Sequence, residues 1–97
     1  MRIIARPILI RFAKQHPPAD QPMRAWYAEV KKARWKNAGH IKKLYGSTSI
    51  LPNGRVVFNI GGHQYRIVVA IHYNTQIVFI RFIGTHQEYD LIDARTI

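Results

Sequence analysis

Apolar residues recur along this chain with two different periods, and the change of period divides it into a helical part and a strand part. In residues 6–16, RPILIRFAKQH, Ile8 and Phe12 stand four apart with Leu9 and Ala13 beside them, the spacing of one helix face. Pro7 suits the first turn of that helix, where its missing N–H costs nothing. PPADQP at 17–22 is a breaker cluster. Helical spacing returns in residues 23–35, MRAWYAEVKKARW, through Trp26, Tyr27, Val30 and Ala33, with Arg34 at the margin and the basic residues on the other faces. Residues 37–45, NAGHIKKLY, fit either a short third helix or a loop, with Lys42 and Lys43 exposed.

From residue 48 the pattern is that of strands. TSIL is followed by the turn signal PNG, then RVVFNI, GG, HQYRIVVAIHY, NT and QIVFIRFIG. Two-residue connections at Gly61-Gly62 and Asn74-Thr75 predict tight antiparallel hairpins. With those loops, residue 58 lies opposite 65, 68 opposite 81 and 66 opposite 83. Side chains alternate between faces along a strand, and opposed residues share a face. One face then collects Val56, Phe58, Tyr65, Ile67, Val69, Ile71, Val78, Ile80 and Phe82, an apolar surface for the N-terminal helices to cover. The other collects Arg55, Val57, Asn59, Gln64, Arg66, Val68, Arg81 and Ile83 and is expected to stay open. On it Arg66 and Arg81 fall diagonally across neighbouring strands, roughly 7–8 Å apart at the backbone. Residues 86–94 read as a final helical turn or short helix, with Thr85 and Glu88 at the spacing of a capping box. The expected fold is therefore α+β, with N-terminal helices on one face of a small, mostly antiparallel sheet and a short C-terminal helix.

Length narrows this to one domain, residues 1–97, with no repeat, low-complexity stretch or linker. The 47% of hydrophobic residues are enough for a core. There is no cysteine, which excludes disulfides and thiolate zinc sites. The longest apolar runs are too short and too polar to span a bilayer. Arg11 and Lys14 interrupt the apolar N-terminus and no small-residue cleavage site follows, so no signal peptide is read and the expected location is the cytoplasm, away from membranes. Fifteen Lys and Arg against five Asp and Glu, a net charge of +10, point to polyanionic or acidic partners.

The charge changes how the open sheet face reads. Two guanidinium groups there are planar forks suited to phosphate oxygens. His86 and Tyr89 stand three apart on one side of the capped turn, where they can hang beside Arg81. A histidine titrates near neutrality, and a tyrosine can stack on a base or donate a proton. Those are the groups RNA cleavage without a metal or other cofactor requires: a base for the 2′-hydroxyl, cations for the phosphate and an acid for the departing oxygen. Arg55, Asn59 and Gln64 share the face as RNA-binding candidates, and the Lys42-Lys43 pair is either a docking surface for a polyanion or a plain solvated face. No His, Asp or Glu spacing forms a metal site, and His16, His40, His63 and His72 are assigned no role. Two other readings fit the same charge: a basic RNA- or DNA-binding module without catalysis, and an interaction domain for an acidic protein.

The segments VVFNIGGHQYRIVVAIHY and VFIRFIGTHQEYDLIDA, together with length, charge and two leading helices, resemble the HigB family of bacterial toxins in the RelE superfamily. The resemblance implies a RelE-like α+β domain and an endonuclease that cuts messenger RNA on translating ribosomes. It also implies neutralisation by a HigA-like helix-turn-helix antitoxin. Carried over residue by residue, it implies Arg66 and Arg81 for phosphate charge and His86 and Tyr89 for acid–base or stacking roles, with Asn59 and Lys43 as weaker candidates. Members of the superfamily do not share one catalytic set. This chain departs from the pattern at His63 and Gln64, where Asn and a basic residue are expected, and at Leu91, where lysine is common. The general base stays open, with His86 the first choice.

Overall fold

A computed structural model describes residues 1–97. Its first long element, α1 (Arg6–Gln15), is the helix that Ile8, Leu9 and Phe12 predict, and Leu9 and Phe12 are its buried residues. PPADQP does not separate two helices as a loop would. Pro17–Ala19 form one 3₁₀ turn, and α2 (Asp20–Lys32) starts directly after it. Pro22 lies in the first turn of α2, where the helix asks for no N–H donor. Met23, Trp26 and Val30 bury the inner stripe of α2. The chain turns extended at Ala33, yet Trp35 beyond it is buried and stacks on Phe58, with ring centroids 6.0 Å apart. α3 (Ala38–Leu44) settles the 37–45 alternative as a helix, capped by Asn37 accepting from the His40 N–H.

β2 (Ser49–Ile50), β3 (Arg55–Ile60), β4 (Tyr65–His72) and β5 (Ile77–Thr85) form the antiparallel part of a five-stranded sheet. The fifth member, β1 (Arg2–Ile4), pairs parallel with β5 and gives the order β1-β5-β4-β3-β2. Neither β1 nor its pairing is visible in the apolar pattern, because three residues carry no period and a parallel partner lies far away in sequence. The short helix α4 (His86–Tyr89) follows β5 directly. The fold is thus the expected α+β arrangement of N-terminal helices, mostly antiparallel sheet and short C-terminal helix. No helix is long and apolar enough to cross a membrane.

The two hairpin registers differ from expectation in instructive ways. Pairing of β3 with β4 ends at Ile60↔Tyr65, so residues 61–64 connect the strands rather than Gly61-Gly62 alone. That slips the register by two, which preserves which face each side chain occupies, and it puts Asn59 directly opposite Arg66. Between β4 and β5 the expected register holds as far as Val69↔Ile80, then shifts, so that Val68 meets Phe82 and Arg66 meets Gly84. Arg81 is the extra residue of this bulge. Past it the alternation inverts: Ile83 enters the main core and Phe82 packs on the opposite face, the reverse of the expected placement.

The main core lies between the helices and Val56, Phe58, Ile67, Val69, Val78 and Ile80 of the sheet. The other face is not left open as expected. Val57, Val68 and Ala94 form a second buried cluster, with Phe82, Tyr89, Ile92 and Ile97 packed around it. The chain after α4 thus covers part of that face, because Val57 and Val68 give it apolar surface to bury.

The PNG turn sets one backbone position strictly. Gly54 has φ of 70°, and a Cβ there would stand 2.9 Å from the Ile71 carbonyl oxygen. Gly54→Ala is therefore expected to destabilise the fold by roughly 1–3 kcal/mol, read as a lower urea midpoint with an unchanged slope.

Candidate functional site

Arg66 sits near the start of β4 between two unlike neighbours. On the β5 side its partner is Gly84, which projects no side chain. A Cβ at Gly84 would fall 2.5 Å from Phe82 Cζ and 3.1 Å from Glu88 Cβ, so only glycine lets the Phe82 ring and α4 close over this point. On the β3 side Asn59 Oδ1 accepts from Arg66 Nε at 3.1 Å. The amide of Asn59 is fixed in turn, since its Nδ2 donates to the Ser47 carbonyl at 2.9 Å. The loop holding Ser47 is tied down by Lys42, whose Nζ donates to the carbonyls of Gly46 (2.8 Å) and Thr48 (2.6 Å). Arg66 is therefore aimed by Asn59, which is held by a loop that Lys42 of α3 ties down.

The chain reverses after Gly84 because Thr85 and Glu88 close the expected capping box. Thr85 N–H donates to Glu88 Oε1 at 2.9 Å, and Glu88 N–H donates to Thr85 Oγ1 at 3.2 Å. The turn carries His86 and Tyr89 back over Arg66. Arg66 Nη2 lies 2.7 Å from His86 Nε2, and the guanidinium carbon lies 4.5 Å from the centre of the Tyr89 ring, a cation–π contact. A guanidinium has donors only, so in this contact Arg66 donates and Nε2 of His86 is the accepting ring nitrogen. Arg66 and Tyr89 are half-buried, and His86 is exposed.

Arg66, His86 and Tyr89 thus converge and Asn59 joins them, but His86 and Tyr89 hang over Arg66 and not beside Arg81 as expected. Arg81 does not pair with Arg66. The bulge moves it one residue farther along β5, and its Nε lies 3.4 Å from the backbone oxygen of Ile97. Arg55 binds that same oxygen through Nε (3.1 Å) and Nη2 (2.9 Å). The guanidinium groups therefore fall into two groups on one face, Arg66 within the His86–Tyr89 cluster and Arg81 with Arg55 at the tail. Arg81 and Lys43 are exposed, as is Gln64 in the β3–β4 loop. Lys42 is exposed as expected, but its ammonium serves the 46–48 loop. A lysine in the last turn of a helix is suited to bonding the carbonyls that follow, and that signal was present in the sequence. Nothing local signals the Ile97 contact. No three His, Asp or Glu side chains gather in an arrangement that could hold a metal ion.

The cap makes the site sensitive to acid. The backbone hydrogen bond from Thr85 is the main reason the Glu88 carboxyl titrates below its ordinary 4.5. A depressed carboxylate stabilises the fold above its unfolded value and loses that contribution as pH falls through its folded value. Thr85→Ala is expected to cost about 1 kcal/mol, and Glu88→Gln, which removes the titrating carboxyl, is expected to flatten stability against pH in the range below 4.5, both measurable in thermal melts across that range.

Comparison with known proteins covers this whole region. The family model described as HigB toxin, the RelE-like toxic component of a toxin–antitoxin system, matches residues 19–92. The mRNA interferase toxin HigB of Escherichia coli (strain K12) is 27% identical over 96 residues, spanning 97% of this chain and 92% of that protein. The proteins named mRNA interferase HigB from Escherichia coli O157:H7 and Shigella flexneri align with the same identity and coverage.

Proposed function

The chain belongs to the HigB family, the RelE-like toxic components of toxin–antitoxin systems, and from that premise we propose that it is an endoribonuclease that cuts messenger RNA during translation. The observation that carries the reading is the contact of one guanidinium with Asn59, His86 and Tyr89 at once. In the proposed reaction the 2′-hydroxyl of the RNA loses its proton, its oxygen bonds to the adjacent phosphorus, and the bond to the 5′-oxygen breaks. His86 accepts the proton at Nε2. An arriving phosphate draws the Arg66 guanidinium onto its own oxygens, which releases the Nε2 lone pair for this role. Arg66 then balances the charge on the five-coordinate phosphorus, with Arg81 as a second cation reaching the RNA from the bulge. Tyr89 holds the guanidinium plane and presents a phenol for stacking or for protonating the departing oxygen. Asn59 positions Arg66 rather than reading a base. Lys43, Arg55 and Gln64 contribute to backbone binding on the same face, and Lys42 acts there mainly through the loop it fixes.

The partners proposed are the translating ribosome with its message and a HigA-like helix-turn-helix antitoxin that neutralises the protein in the cytoplasm. Primer extension on a translated message tests the reading. New breaks within the coding sequence on induction, suppressed by the antitoxin, are the expected result. An intact message that the protein nevertheless binds would reduce it to a nucleic-acid-binding module.

A further inference from the structure

At the far end of the sheet from Arg66, four cations gather with no acid among them. Arg2 on β1, Lys31 and Lys32 in the last turn of α2, and Arg34 just past it line one depression. All four are exposed. None is neutralised, since the two ion pairs of the molecule are Arg24–Asp20 and Arg95–Asp93. The support beneath them is fixed. Arg2 N–H donates to the Gln76 carbonyl at 2.8 Å, and Gln76 Nε2 donates to the carbonyls of Trp35 (2.6 Å) and Tyr73 (2.8 Å). β1, the β4–β5 turn and the segment after α2 are thereby locked together beside the buried Trp35. Held this close, like charges repel and oppose folding, so the cluster has a cost that an anion on this face would relieve.

We propose that this face binds a second stretch of RNA backbone, distinct from the stretch cut at Arg66; the inference rests on the reading of the protein as an enzyme of RNA. Arg66 and His72 bracket most of β4, and at about 3.3 Å per residue the patch beyond that end lies more than about 20 Å from the Arg66 cluster. One scissile linkage cannot touch both. The lining decides between RNA and an acidic protein. Protein interfaces have an apolar centre, whereas this depression offers only Met1 and Ala33 besides charged and polar groups. RNA asks for little more than cations spaced along its phosphates.

The test measures binding in Arg66→Ala protein, whose slowed cleavage leaves the RNA largely uncut during the measurement. The probes are salt-washed ribosomes and a short unstructured RNA oligonucleotide, and the variant is Lys31→Gln/Lys32→Gln/Arg34→Gln. The expected result is at least about a tenfold loss of affinity at low salt, with the dependence of log affinity on log salt shallower by about 2–3. Loss on ribosomes alone assigns the contact to ribosomal RNA. Loss on the oligonucleotide as well assigns it to the message, and both support the proposal. The control Arg24→Gln removes a cation already paired with Asp20 and is expected to leave the slope unchanged. An unchanged slope for the triple variant on both probes overturns the proposal. So does an equal loss from Arg24→Gln, or loss of antitoxin binding with RNA binding intact. Cleavage by proteins that retain Arg66 is scored separately, so a protein that binds through this face and never cuts contradicts the activity and leaves the surface standing.

Discussion

Replacing Arg66 with alanine is expected to lower the rate of message cleavage by about 100- to 1000-fold, the usual effect of removing one preorganised group that meets developing charge. The fold should survive. Arg66 is half-buried on the face away from the main core, and its partners Asn59 and His86 reach solvent. The residual cost is the Asn59 Oδ1 left without its donor and the Tyr89 ring left without its cation. Arg66→Lys separates charge from geometry. Lysine keeps the positive charge but cannot bond Asn59, meet His86 and cover Tyr89 with one planar group. If alignment of the fork matters, lysine recovers only a minor part of the lost rate. Full recovery would mean that charge alone suffices and that the support from Lys42 through Asn59 has no bearing on catalysis. Single-turnover cleavage by variants whose melts match the wild type checks both points.

His86→Ala carries the second large effect, a loss of about 100- to 10,000-fold in rate, the range for removing a general base or acid. His86 is exposed and makes one side-chain contact, to Arg66, so stability should change little. The pH dependence discriminates its role. With His86 as the base, the alanine variant loses the acid limb of the wild-type profile along with the rate. A profile of unchanged shape and lower height would make His86 a positioning residue for Arg66 and move the base to another group, Tyr89 being the nearest candidate.

Much of this arrangement was legible in the order of the residues. Leu9, Phe12, Trp26 and Val30 announce their helix faces because a 3.6-residue period leaves little choice of what to bury. Asn59 and Arg66 share a face whether the connection is Gly61-Gly62 or residues 61–64, because a slip of two keeps parity. Thr85 and Glu88 form the box their spacing implies. The bulge at Arg81 is not legible, since IVFIRFIG is apolar at nearly every position and shows no period to break, and extra residues in a strand are decided by what packs on either side. For that reason the Arg66–Arg81 pair, drawn from perfect alternation, gave way to Arg66 with His86 and Arg81 with Arg55. The tail over Val57 and Val68 escaped notice for a related reason. Ala94 and Ile97 are too few to show a period, and only the exposed apolar strip of the sheet gives them a place. Lys42 reads as an exposed cation, for a polyanion or for solvent, and the one sign of its carbonyl partners is its place in the last turn of α3.

In the proposed reaction the groups arranged around Arg66 make the RNA attack itself through its own 2′-hydroxyl. The chemistry of the ends left on a translated message cut by the wild-type protein tests this most directly. The expected ends are a 2′,3′-cyclic phosphate, or the monophosphate it opens to, upstream of the cut and a free 5′-hydroxyl downstream. A 5′-phosphate facing a 3′-hydroxyl would mean that water, not the neighbouring hydroxyl, attacked the phosphorus, and would contradict that reaction.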